Sequence, residues 1–256
     1  MSLIRVIKDS FVLLARHPKL FIPKLFVAAL YSVPILFLPK IALESFIAPN
    51  PDLFGLLLFY LFFTIFSSIV DVSVNAFYPF FVKEYNKKKT VSFGNAWKEF
   101  RKRAKVIIPS TLLIEFFAFV VLFLLAIPIS VALFIRNDLL FMIFVLLSLA
   151  FIIAVAIFFF LIYPVVSLEK KGIFGSIART MTLSLSNLKN VSTIALFSFA
   201  FSLLTFAISF MIEFSSDFFS KGVFLAVFII LRVLVSVIAT YQYILNPVFY
   251  IEYIDR

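Results

Sequence analysis

The sequence predicts an all-α polytopic membrane protein, with six transmembrane helices in three parallel two-span repeats, each preceded by a short interfacial amphipathic helix. Three observations predict it. The 256 residues are 64% hydrophobic, 19% aromatic and only 14% charged, against about 45–50% apolar and about 25% charged in a soluble chain. The apolar residues fall in runs long enough to cross a hydrocarbon layer of about 30 Å. A Pro-x4-Glu signature recurs three times at near-equal spacing.

The first element is an amphipathic helix. Leu3, Ile4, Ile7, Phe11 and Leu14 share one face, with Arg5, Lys8, Asp9 and Arg16 opposite. Charges interrupt it and no small-residue cleavage site follows, so it does not read as a signal peptide. Spans follow over Leu20–Leu38 and Leu53–Val82. A second amphipathic helix carries Phe93, Trp97, Phe100 and Ala104 as its apolar stripe, with Ser92 as N-cap. Spans over Val106–Ile135 and Leu139–Leu168 come next. The third amphipathic helix has Phe174, Ile177, Met181 and Leu185 as its stripe and leads into spans over Val191–Ile212 and Val223–Tyr250. Several runs are long enough to tilt or to project beyond the hydrocarbon.

Lys and Arg set the orientation. They crowd the N-terminal segment, the connection between the second and third spans, and the connection between the fourth and fifth. The opposite loops hold only Lys40, Arg136 and Lys221. The positive-inside rule then places both termini in the cytoplasm of a multi-pass cell-membrane protein.

The even-numbered spans end in Tyr78-Pro79, Tyr163-Pro164 and Asn246-Pro247, and each Pro is followed five residues later by an acid: Glu84, Glu169 and Glu252. The prolines stand 85 and 83 residues apart, and Phe93-Gly94 matches Phe174-Gly175. The chain thus reads as one membrane domain, 1–256, with repeats at approximately 2–89, 90–171 and 172–256. Two spans per repeat make the copies parallel about an axis along the membrane normal. The recurrent acids follow prolines that limit or kink their spans and border the basic layer, so they read as fold-locking ion pairs.

Composition excludes several chemistries. With no Cys there is no disulfide or thiolate metal site, and His17 is the one histidine. Five glycines and no phosphate-loop motif argue against nucleotide binding, and no cofactor is expected. The net charge of +10, on so apolar a chain, points to anionic lipid and not to nucleic acid. Candidate lipid contacts are Lys87, Lys88, Lys89, Lys98, Arg101, Lys102 and Arg103.

Ionisable groups at membrane depth are rare and costly, so each is a functional candidate. Glu115 and Arg232 lie nine residues into their spans from opposite sides, which suggests a mid-membrane ion pair. Asp71 lies nearer the cytoplasmic third, with Asn75 one turn beyond. These four side chains form either a substrate or ion pathway or a structural lock between spans.

The segment Leu13-Leu14-Ala15-Arg16-His17-Pro18-Lys19-Leu20-Phe21-Ile22-Pro23, together with Phe174-Gly175-Ser176-Ile177-Ala178-Arg179-Thr180-Met181, resembles a diffuse superfamily of six-span prokaryotic membrane proteins. That superfamily includes the membrane domain attached to some glycerophosphodiester phosphodiesterases. In the fused enzymes catalysis belongs to a separate soluble barrel, for which this chain has no room, so the resemblance implies a membrane module and no catalytic residues.

The expectation is a non-enzymatic membrane module that interacts with the bilayer, with anionic lipid or with a protein partner. The alternative is a small transporter or permease with a pathway along the repeat axis. No nucleophile–base set supports an intramembrane enzyme.

Overall fold

The computed structural model describes residues 3–37, 51–218 and 221–254. These residues are helical almost throughout and contain no β-strand. In chain order the helices are α1 (Leu3–Arg16), α2 (Ile22–Phe37), α3 (Pro51–Asn75), α4 (Phe77–Lys88), α5 (Phe93–Phe134), α6 (Asp138–Phe158), α7 (Ile162–Leu168), α8 (Ile173–Ser186), α9 (Leu188–Phe218) and α10 (Lys221–Phe249). A 3-10 turn, Pro18–Phe21, joins α1 to α2, and a π-helical turn, Tyr250–Ile254, follows α10.

Among the described residues five stretches are long and apolar enough to cross a membrane: Leu58–Lys88, Phe93–Phe134, Asp138–Leu168, Leu188–Met211 and Gly222–Ile254. They match five of the six expected spans and are compatible with an integral membrane protein. The expected first span corresponds to α2, of 16 residues; its last residue, Leu38, lies outside the described residues.

The recurrent prolines punctuate these stretches. Proline has no N–H, so the carbonyl four residues earlier loses its helical partner. For Pro79, Pro164 and Pro247 those carbonyls belong to Asn75, Phe160 and Tyr243. The helix breaks between α3 and α4 and again between α6 and α7, and after Pro247 it widens into the π turn.

The core lies at the proline end of the bundle. Val6 and Leu13 of α1, Leu20, Tyr78 and Phe81 of α4, Val165 and Val166 of α7, and Ile244, Leu245 and Phe249 of α10 are all buried there. By contrast α6 buries no residue and displays Leu139, Met142 and Leu146 outward. Such a continuous exposed apolar surface calls for a lipid environment.

The amphipathic helices depart from expectation in two ways. The second is not a separate element: it is the first part of α5, a single helix of 42 residues and about 63 Å at 1.5 Å per residue. Ser92 caps it as expected, accepting from the Asn95 N–H at 3.4 Å. The other two do not bury their whole apolar stripes. α1 packs Val6, Ser10 and Leu13 inward and leaves Ile4 and Phe11 exposed. α8 buries Ser176, Thr180 and Ser184 and exposes Phe174, Met181 and Leu185. Small residues four apart let helix backbones approach closely, so the small face docks and the bulky apolar face turns outward.

Candidate functional site

Two sites emerge, one inside the bundle and one at its basic end. The first is built on the proline breaks. Asn246, just before Pro247, donates its side-chain amide to the Phe160 carbonyl that Pro164 leaves open. Tyr163, just before Pro164, accepts at Oη from Asn75 Nδ2 at 3.3 Å. Tyr78, just before Pro79, stacks on Tyr243 with ring centroids 6.2 Å apart. Each contact joins the residue before one proline to the residue four before another, and the three close a ring.

Lys24 enters this ring from α2. Its Nζ lies 2.6 Å from Asp71 Oδ1 and 3.9 Å from the centre of the Tyr243 ring. Asn75 Nδ2 also donates to Asp71 Oδ2 at 3.3 Å. Lys24 is only 5% exposed, so its charge depends on the carboxylate and the aromatic face for the solvation it has lost. The Oδ1 atoms of Asn75 and Asn246 are buried without a hydrogen-bond partner.

Two cavities of about 240 Å³ flank the ring. One is bordered by Lys24, Tyr31, Asp71, Arg232 and Ser236. The other is bordered by Phe160, Tyr163, Ser198 and Asn246. Ser202, Gln242 and Tyr243 line both, and Gln242 Nε2 donates to Ser202 Oγ at 2.7 Å across the partition.

Of the four expected polar residues, Asp71 and Asn75 are in direct contact, and Arg232 borders the Asp71 cavity with its guanidinium 5.3 Å from the centre of the Phe228 ring. Glu115 lies within electrostatic reach of Lys24 and Asp71. The expected Glu115–Arg232 ion pair does not form. Equal depth does not make two residues neighbours: α5 packs on α3, α4, α6, α7 and α8, while α10 packs chiefly on α9, α1 and α2. Lys24 was not among the expected polar residues. It lies inside the expected first span, and that position was the available signal for a buried cation.

The second site is a cleft of about 400 Å³ at the basic end, between α4, the start of α5 and the α7–α8 connection. Lys83, Lys87, Lys88, Arg103 and Lys170 line it. Its acids already have partners: Glu84 accepts from the Ser92 N–H at 2.9 Å and from Asn95 Nδ2 at 2.6 Å, and Glu99 pairs with Lys102 and feels the charges of Lys83 and Lys98. Arg103 donates to the backbone carbonyls of Ser167 and Lys171, tying α5 to the α7–α8 connection. Lys83, Lys87, Lys88 and Lys170 make no hydrogen bond or ion pair among the described residues.

No family model, curated protein or solved structure matches the chain.

Among the expected lipid contacts, the cleft takes Lys87, Lys88 and Arg103. Lys89 caps α4 and lies over the Tyr85 ring. Lys98 and Arg101 are exposed on α5, outside the cleft. Lys83 and Lys170 are additions; Lys83 sits one helical turn from Lys87, a spacing that puts both on one face. The recurrent acids are also more varied than expected. Glu84 braces the start of α5 through Ser92 and Asn95 instead of pairing with a cation, whereas Glu169 does form ion pairs, with Arg179 at 3.3 Å and Lys171 at 3.7 Å. Among the described residues no group of three His, Asp or Glu is placed to hold a metal ion.

Proposed function

We propose that this chain is a non-enzymatic multi-pass protein of the cell membrane, with cytoplasmic termini, that binds anionic lipid at its basic end. The carrying observation is the cleft in which four lysines make no hydrogen bond or ion pair among the described residues while the neighbouring acids are already bonded. Clustered cations beside the membrane face attract anionic headgroups, each worth about 1 kcal/mol. The outward Phe174, Met181 and Leu185 of α8 suit immersion at the same interface. Three parallel repeats account for the ring of proline contacts, and the resemblance to six-span prokaryotic membrane modules is of the same kind.

The test is thermal unfolding of the purified full chain in mixed micelles containing phosphatidylglycerol or phosphatidylcholine. Anionic lipid should raise the apparent melting temperature, and K83Q/K87Q/K88Q should lose that rise. Equal behaviour in the two lipids would remove the proposal.

The paired cavities favour a second reading, a small permease whose pathway is closed by the Gln242–Ser202 hydrogen bond. Charged side chains lining a cavity between helices mark solute pathways in other membrane proteins. Solute uptake into proteoliposomes that is lost in D71N would support it.

A further inference from the structure

We infer that the basic cleft receives a pair of phosphates carried on one molecule, as in a lipid whose headgroup joins two phosphodiesters. This rests on the lipid-binding reading above. The 400 Å³ cleft has a neighbour of about 250 Å³ lined by Lys83, Asn86, Lys87, Glu169 and Tyr250. Lys83, Lys87 and Leu168 line both. Two adjoining cavities therefore share one pair of cations, one turn apart on α4.

A single phosphate would leave part of this charge unused. Lys88, Arg103 and Lys170 lie in the larger cavity, beyond the shared pair. In the smaller cavity Glu169 does not oppose an anion with a free charge, because it is held by Arg179, Lys171 and the Tyr250 hydroxyl. Asn86 and the Lys83–Lys87 pair are left to meet a second phosphate. Lys83 and Lys87 would then bridge both groups, with an apolar floor of Phe80, Ala96 and Leu168 beneath the linker between them.

The linkage predicts avidity. Two phosphates on one molecule bind as a coupled pair, with an apparent affinity on the order of a hundredfold above that of a single-phosphate lipid. The experiment titrates the full chain in phosphatidylcholine micelles with cardiolipin, with phosphatidylglycerol at equal total phosphate, and with inorganic pyrophosphate, reading the melting temperature.

Tighter saturation by cardiolipin, reduced to the phosphatidylglycerol level in K83Q/K87Q, is the expected result. K98Q/R101Q, which removes equal charge outside the cleft, should keep the preference. Both variants should melt like the unaltered chain in phosphatidylcholine alone, since all four side chains are exposed. A full shift from pyrophosphate would support the paired-phosphate site and assign it to a soluble ligand. Equal saturation by cardiolipin and phosphatidylglycerol would overturn the paired site while leaving anionic-lipid binding intact. No shift with any of the three would overturn both.

Discussion

Asn246 donates its side-chain amide to the carbonyl of Phe160, the acceptor that Pro164 strands in its own helix. A defect that proline creates in one segment is thus repaired by the residue preceding proline in another. Replacing Asn246 with Leu removes the donor and leaves a buried carbonyl unmatched, which costs about 1–3 kcal/mol. The purified variant should unfold at correspondingly lower denaturant concentration. An unchanged midpoint would mean that the break between α6 and α7 satisfies itself.

The Lys24–Asp71 pair makes a sharper demand. Removing one partner of a buried pair strands the other, at about 3–5 kcal/mol, whereas removing both is often close to neutral. K24M should therefore destabilise strongly, and K24M with D71L should recover most of the loss. A double-mutant cycle in detergent measures this, and additive losses would show that the two charges are energetically independent.

Glu84 acts on the start of α5 through two hydrogen bonds, to the Ser92 N–H and the Asn95 amide. E84A should cost about 1 kcal/mol, the usual scale for losing a helix cap. Hydrogen exchange should rise at Phe93–Trp97 before it rises elsewhere. Uniform loss of protection along α5 would assign Glu84 a global role instead.

Lys89 closes α4 in a left-handed conformation, with φ of 55°. That conformation costs a side chain about 1–2 kcal/mol, and glycine gives back about 0.5–1 kcal/mol of this through its greater backbone entropy. K89G should stabilise the protein by up to about 1 kcal/mol. It should leave lipid affinity unchanged, because Lys89 lies outside the cleft. A loss of lipid affinity would extend the binding surface beyond the cleft.

Salt separates the two sites. Cations of the exposed cleft are screened over about 10 Å at 0.1 M salt, whereas the enclosed Lys24–Asp71 pair is screened far less. Raising salt should therefore weaken lipid binding without reproducing the stability loss of K24M. Parallel titrations of lipid affinity and melting temperature check this.

Much of this architecture is written locally. A run of apolar residues of sufficient length forms a helix wherever its neighbours lie, and a proline breaks hydrogen bonding four residues upstream in any fold. The hydrogen bonds lost at Pro79 and Pro164, the Ser92 cap and the basic end could for that reason be read from residue order alone. The continuity of α5 could not. Neither Pro109 nor the change from basic to apolar residues interrupts that helix, and a change in polarity carries no backbone signal.

Pairing belongs to the tertiary structure. Residue number measures depth along one helix, which placed Glu115 and Arg232 at similar levels; it contains nothing about which helices touch. The packing of α2 against α3 and α10 brought Lys24 to Asp71, a pair that depth alone does not suggest. The packing of α8 likewise chose its Ser176–Thr180–Ser184 face over its bulkier stripe. By itself the sequence determined helices, breaks and a charged end, because those depend on neighbours along the chain. Which charges meet, and which lysines stay outside any ion pair among the described residues, depends on distances between segments that only close packing sets.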